Sequence, residues 1–308
     1  MTRPAIAETI RSGTRLVSDG AWGTLLQQRG LQAGECPEGW VLTRPDDVRD
    51  AGRAYIEAGA DMIQANTFGG TRLKLAHYDL AEKAAEINER GAALSREAAG
   101  EDHWVIASMG PTGRMLLMGD ITEEDMYEAF REQAVALERG GADAACVETM
   151  SDVQEAALAI RAVRENTALE IISTFTFEKS VQGEYRTMMG VAPAEAAQAA
   201  LDAGAAVIGS NCGNGIAGMV EIVSSLRESY PEAPILIHAN AGIPRTEGDR
   251  TIFPETPEEM GRQVPALLDA GASIIGGCCG TGPDHIRAVR AAVDSRSGQA
   301  SEPEDCSS

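Results

Sequence analysis

Apolar residues recur along this chain in short runs, each set off by a small-residue turn. Four of these phrases are near-copies of one another: EAGADMIQANTF (57–68), RGGADAACVETM (139–150), DAGAAVIGSNC (202–212) and DAGASIIGGCC (269–279). Each reads as a helix end, a turn containing Gly, an apolar strand, and then polar residues or cysteines. Glycine just past a helix supplies the left-handed cap. A short unbroken apolar run suits a strand buried on both faces of a parallel sheet. Four further runs, TRLVSDG (14–20), HWVIASMG (103–110), LEIISTFTF (169–177) and PILIHANAG (234–242), bring the expected strands to eight. Alanine-rich segments separate them, among them 81–99, 122–139, 151–165, 193–203, 216–228 and 257–270. Strand and helix alternating in this way predict parallel βαβ units, and eight units predict a closed (β/α)8 TIM barrel. The rival, an open doubly wound sheet, would carry G-x-G-x-x-G after its first strand, and this chain does not. No internal linker interrupts the pattern. Residues 1–294 therefore read as one barrel domain, and the polar tail 295–308 is expected to be disordered.

Composition narrows the function. The 308 residues contain 44% hydrophobic but only 4% aromatic side chains, so the core must rest on branched aliphatics and alanine. Lysine and arginine number 26 against 47 acidic residues, a net charge of −21. Phosphate backbones and anionic lipid surfaces would be repelled, which argues against nucleic acid and membrane partners. No apolar run approaches the roughly 20 residues of a membrane span, and the N-terminus lacks a signal-peptide core. A cytoplasmic location is expected, where thiols stay reduced. Self-association as a homo-oligomer is compatible with all of this.

Function in such barrels sits at the C-terminal ends of the strands. Three of the six cysteines fall there: Cys212 ends the sixth expected strand, and Cys278 and Cys279 end the eighth. Only the seventh strand separates them around a barrel. Three thiolates that leave one position open are the signature of a catalytic zinc site. For Cys278 and Cys279 both to face one ion, the chain must leave strand geometry, and Gly276, Gly277 and Gly280 are expected to give that freedom. The competing readings are a strained vicinal disulfide, or a redox dithiol without the usual C-x-x-C. Cys36 and Cys146 read as small buried hydrophobes, and Cys306 as an incidental thiol of the tail. An electron-rich zinc centre is a poor activator of water but keeps a bound thiol ionised and nucleophilic. The fitting reaction is alkyl transfer to a substrate thiol. Asp19 and Glu148, ending the first and fourth strands, could clamp an ammonium group; their plainer readings are a turn former and a structural ion pair. Backbone N–H groups of Gly20–Thr24 could take a carboxylate. Asn66, at the end of the second strand, joins this list of candidate substrate contacts.

Taken together, DGAWGT (19–24), ANTFGG (65–70), GPTG (110–113), ETMSD (148–152), SNCG (210–213), NAG (240–242) and GGCCGT (276–281) resemble the homocysteine-binding domain of the homocysteine S-methyltransferase family. That domain is shared by cobalamin-dependent methionine synthase, betaine–homocysteine methyltransferase and the S-methylmethionine enzymes. The resemblance implies zinc on Cys212, Cys278 and Cys279 with homocysteine as fourth ligand. It implies the amino group on Asp19 and Glu148, and the carboxylate on Gly20 and its neighbours. Asn240 resembles an asparagine that fills the open zinc position when substrate is absent. Betaine enzymes enclose their donor in aromatics; the matching positions here, Gly69 or Gly70 and Thr149, are not aromatic. GPTGRML and VETMSD look more like the methionine synthase branch, whose donor is methylcobalamin. The sequence has no D-x-H-x-x-G corrinoid motif, so the methyl group is expected on a separate corrinoid protein docking over the barrel mouth. Trp22, Trp40, Met115 and Met118 are expected mainly as packing, with contact to that partner as the alternative. S-methylmethionine or another sulfonium is the second choice of donor, and a non-catalytic thiol or zinc sensor is the rival from another class.

Overall fold

The computed structural model describes residues 3–248 and 250–299. Its main sheet holds eight strands: β1 Leu16–Val17, β2 Met62–Gln64, β3 Trp104–Met109, β4 Ala144–Met150, β5 Glu170–Phe175, β6 Val207–Asn211, β7 Ile235–Ala239 and β8 Ile274–Gly277. Their order is β1-β8-β7-β6-β5-β4-β3-β2, and every paired neighbour is parallel. The sheet curls until β1 and β2 face each other, which makes the expected (β/α)8 barrel. Carboxylates help to close that last seam. The Asp61 N–H donates to the Val17 carbonyl at 2.8 Å. In return the Val17 N–H donates to the Asp61 side chain at 2.7 Å. Higher up, the Gln64 N–H donates to the Asp19 side chain at 2.7 Å.

Period-two alternation sorts the strand residues. Leu16, Met62, Ile106, Ala144, Cys146, Ile172, Val207, Leu236 and Ile274 pack together in one cluster inside the barrel. Val17, Ile63, Val105, Ala145, Ile171, Ile208, Ile237 and Ile275 belong to the larger core beneath the helices. Two residues further along, the inward positions turn polar: Ser18, Gln64, Ser108, Glu148, Thr174 and His238, all buried. At the opposite end the barrel is stopped by a short helix, Ile6–Arg11, whose Ile6, Ala7 and Ile10 join the inner cluster. Glu170 caps it, accepting from the Ile6 and Ala7 N–H groups at 2.6 and 2.8 Å.

The expected helices are present as Ala84–Ala99, Glu123–Arg139, Val153–Asn166, Pro193–Ala203, Ile216–Ser229 and Pro257–Ala270. Helices also occupy Trp22–Gln28 and Pro45–Glu57, where the strand pattern made no claim. Several open on proline, whose missing N–H costs nothing in a first turn. Two small hairpins, Glu178–Lys179 with Tyr185–Arg186 and Arg245–Glu247 with Arg250–Ile252, rise after β5 and β7. The last helix runs from Pro283 to Gln299, so the first residues of the tail expected to be disordered are helical. The rest of that tail, with Cys306, lies outside the described residues. Among the described residues no helix is long and apolar enough to cross a membrane.

The seam makes a stability prediction. Asp61→Ala strands the Val17 N–H and releases Arg290, which sits 3.0 Å from the carboxylate. The half-exposed setting moderates the loss to about 1–2 kcal/mol of unfolding free energy, measured by urea denaturation. An unchanged midpoint would show that the carboxylate contributes nothing to closure.

Candidate metal centre and substrate cavity

The three rim cysteines meet. The sulfurs of Cys212, Cys278 and Cys279 all lie within 4.8 Å of one another. Cys212 and Cys279 are 3.9 Å apart. Two ligands of a tetrahedral zinc with Zn–S bonds of about 2.3 Å would stand about 3.8 Å apart. Strand β7 positions both loops. Its His238 carbonyl accepts the Cys212 N–H at 3.0 Å, and the next carbonyl, Ala239, accepts the Cys278 N–H at 2.7 Å. Beyond the strand, the Ala241 N–H returns to the Cys279 carbonyl at 3.0 Å.

The glycines act differently from the sequence expectation. Gly280 has φ of +83° and turns the chain after the cysteine pair, as expected. Gly276 and Gly277 instead lie within β8, and neither has a positive φ. Their role is close approach: a Cβ on Gly276 would stand 2.7 Å from the Asp19 carbonyl and 2.8 Å from the His238 ring. Cys212 itself takes φ of +61°, a conformation that costs a non-glycine residue about 1–3 kcal/mol and clusters at functional sites.

The three thiols titrate as one interacting set. Hydrogen bonds from Cys278 and Cys279 pull Cys212 far below a thiol's ordinary pKa, while the same contact pushes Cys278 and Cys279 up. Ionising all three sulfurs at this spacing calls for a divalent cation among them. Asn240 lies against Cys212, and its side-chain oxygen is buried with no hydrogen-bond partner. Soft sulfurs at this spacing, with an orphaned oxygen beside them, fit zinc.

Above the sulfurs opens a cavity of about 250 Å³. Gly20–Thr24, Glu38, Gln64, Asn66, Phe68, Ser108, Glu148, Asn211 and His238 line it together with the cysteines. Larger hollows exist on the outer surface, one of about 720 Å³. Two of its arginines are paired with its own carboxylates, Arg72 with Glu132 and Arg131 with Glu128, and its lining holds no cysteine, serine, threonine, histidine or lysine. Glu148 is buried, held by Gln64 at 2.7 Å and by the Ser108 hydroxyl. Burial raises its pKa to about 7 despite those bonds. Burial likewise raises Asp19 to about 7.

Asp19 is placed less openly than Glu148. It is fully buried behind the wall, where Oδ2 accepts from the Trp22 indole and the Gln64 N–H, each at 2.7 Å. Gly20 is locked by neighbours; a Cβ there would stand 2.8 Å from the Thr281 hydroxyl and 2.9 Å from Tyr55. Asn66 donates to the Pro37 carbonyl at 2.7 Å and so pins a wall loop. Of the aromatics and methionines considered for the rim, Trp22 lines the cavity and Trp40 is packed in the core, whereas Met115 and Met118 are exposed after β3. Cys146 lies in the barrel interior and Cys36 behind the cavity wall, bonded to Glu38 at 3.4 Å; burial pushes both thiols up, Cys36 to about 12, and makes them unreactive.

Sequence reasoning passed over Gln64, Ser108, Asn211, Thr281, Glu38 and His238. His238 is buried and neutral, its pKa lowered to about 4 by burial, with one ring nitrogen unpartnered. One usable signal existed: Gln64, Ser108 and His238 are polar residues at the inward phase of otherwise apolar strands.

The family model described as homocysteine S-methyltransferase matches residues 16–293. The methionine synthase of Mycobacterium leprae (strain TN) is 35% identical over 90% of this chain, and that of Mycobacterium tuberculosis (strain ATCC 25618 / H37Rv) is 33% identical over the same share. The chain spans only 24% of the length of either relative. Among solved structures, the metallated form of the homocysteine methyltransferase MmuM from Escherichia coli superposes with a TM-score of 0.75 at 21% identity, covering 90% of this chain and 96% of that one. The carboxyl transferase domain of Rhizobium etli pyruvate carboxylase shares the fold more loosely, with a TM-score of 0.51.

Changing any one of the three cysteines to serine should abolish stoichiometric zinc binding, measured by metal analysis after dialysis. The far-ultraviolet circular dichroism should match that of the metal-free parent. A Cys212→Ser protein that kept its full zinc content would refute the three-sulfur site.

Proposed function

Because the chain belongs to the homocysteine S-methyltransferase family, we propose that it performs zinc-dependent transfer of a methyl group to the thiolate of homocysteine, forming methionine. The observation that carries this reading is the convergence of Cys212, Cys278 and Cys279 on a cavity that a buried carboxylate, Glu148, also lines. Zinc, held by those three sulfurs, would lower the pKa of an incoming thiol from about 8.5, so that it is ionised at neutral pH.

The chain's own residues do the rest. Glu148 keeps lone pairs free after bonding Gln64 and Ser108, and these can receive the substrate ammonium. Asp19 adds negative potential from behind and orients Gln64. Gly20–Thr24 lack cationic side chains, so a substrate carboxylate there would be met by backbone N–H groups. Asn66 holds the wall, and Asn240 stands next to Cys212, where it can serve the metal when no thiol is present. A reducing cytoplasm would keep all three sulfurs available.

For the donor, methylcobalamin carried by a corrinoid protein is the leading reading. The named relatives are methionine synthases. The cavity is too small to admit a whole corrin, so the methyl group must be presented at its mouth. The surface suits a protein partner: the exposed large hydrophobics, including Phe68, Leu117, Met118, Val181, Met188 and Ile243, all follow barrel strands on the mouth side. A soluble sulfonium is the second reading, favoured by Glu38, Glu148 and the half-exposed Phe68 ring, which would attract a small cation.

Zinc-loaded protein incubated anaerobically with homocysteine is expected to form methionine from methylcobalamin. Methionine from S-methylmethionine alone would transfer the assignment to the sulfonium reading. No methionine from either donor, with zinc bound, would favour a sensing role. A second outcome concerns pH. With Glu148 and Asp19 titrating near 7, an ammonium held by ionised Glu148 and favoured by the charge of Asp19 behind it is weakened by acidification. Homocysteine affinity, measured by calorimetry, should fall by up to about tenfold per pH unit per carboxylate below pH 7. Glu148→Gln should flatten that slope as well as weaken binding at pH 8.

A further inference from the structure

Two residues of the site hold left-handed backbone without being glycine: Thr149 and Cys212, each with φ of +61°. Thr149 follows the cavity carboxylate Glu148, and Cys212 is one of the three sulfurs. Asn211 touches both. It immediately precedes Cys212, and its amide grips Thr149 on two sides. The Thr149 N–H donates to Asn211 Oδ1 at 2.8 Å, and Asn211 Nδ2 donates to the Thr149 hydroxyl at 2.7 Å. The Thr174 hydroxyl donates to the same Oδ1 at 2.8 Å, and the Thr176 hydroxyl to the Asn211 carbonyl at 2.9 Å. The side chain is buried and lines the cavity. This grip sits where the β4–β5 ladder slips, between Val147 and Met150. Strained backbone of this kind persists only where its surroundings over-determine it.

We infer that Asn211 is a positioning residue that sets the placement of Glu148 relative to the metal-binding sulfurs. The end of β6 thereby carries one sulfur and clamps the bulge of β4 that presents the carboxylate. A thiol amino acid must reach both at once, so this spacing decides which thiol fits. The inference rests on the methyl-transfer reading only in taking homocysteine as the ligand. Cys212 has its own main-chain anchors, donating to the His238 carbonyl at 3.0 Å and accepting from the Asn214 N–H at 2.8 Å. Loss of the Asn211 side chain should therefore disturb the carboxylate more than the metal.

The test uses the zinc-loaded full chain, with homocysteine affinity measured by calorimetry and zinc affinity by chelator competition. Asn211→Ala should weaken homocysteine by at least about tenfold, while zinc affinity stays within about threefold. Thr149→Ala should also weaken homocysteine, because it loses the hydroxyl and keeps the strain. Thr149→Gly loses the same hydroxyl but tolerates the left-handed backbone; it should bind close to wild type and should restore most of the loss in the Asn211→Ala background. Wild-type binding by Asn211→Ala, or equal weakening by the two Thr149 variants, would overturn the proposal. So would parallel loss of zinc and homocysteine in Asn211→Ala. If Asn211→Ala does not fold, the Thr149 pair decides. If the wild-type chain ignores homocysteine, the methyl-transfer reading fails separately. Urea unfolding without ligand then decides the grip on Thr149: the Gly variant must be more stable than the Ala variant, and the reverse order would overturn it.

Discussion

Three ionisable sulfurs converging on one point impose the main constraint on the upper half of this barrel. Like charges at such spacing repel strongly where water is scarce. The chain must therefore hold the sulfurs together through its backbone, and their full ionisation would call for a cation among them. It does so through β7, which contributes no sulfur. Two successive β7 carbonyls, His238 and Ala239, hold the amides of Cys212 and Cys278. Side chains are omitted at Gly276 and Gly277, so that β8 can lie close to the Asp19 loop and to Thr281. The left-handed turn at Cys212 and the reversal at Gly280 complete the convergence. Each is an expense in local conformational terms, and each is placed where the sulfurs need it.

The same arrangement accounts for the polar layer inside the barrel. Below it, aliphatic side chains and Cys146 fill the interior. At the level of Gln64, Ser108 and Glu148 the fill becomes hydrogen-bonding, and a buried carboxylate can exist there because it has two donors at its oxygens. Asp19 has a double duty. Its Oδ2 helps join β1 to β2 through Gln64, and Gln64 in turn steadies Glu148. Closure of the sheet and preparation of the site are thus one network.

Much of this was legible in the residues. The eight apolar runs located all eight strands, since a strand buried on both faces leaves a dense local signature. The cysteines were legible because function gathers at strand ends and few residue types behave as soft ligands. The purpose of Gly276 and Gly277 was misread: glycine permits both unusual angles and close contact, and only the tertiary neighbours distinguish the two. Asn211, Gln64 and Thr281 were passed over for a related reason. Their partners, Thr149, Glu148 and Cys278, lie on other strands or across a turn, so no sequence spacing announces the bonds. The hairpins after β5 and β7 escaped notice because exposed two- and three-residue strands carry almost no apolar pattern.

The short helix Ile6–Arg11 has an effect well beyond packing. It completes the plug of aliphatic side chains that floors the barrel, so that the cavity is approached from the mouth side. An occupant of the rim that covered the mouth would therefore bar passage to the sulfurs below it. On the proposed methyl-transfer reading, the acceptor would bind before a donor presented at the mouth, and the methylated product would leave after the spent donor. An excess of donor occupying the mouth would then slow turnover by trapping the product below it.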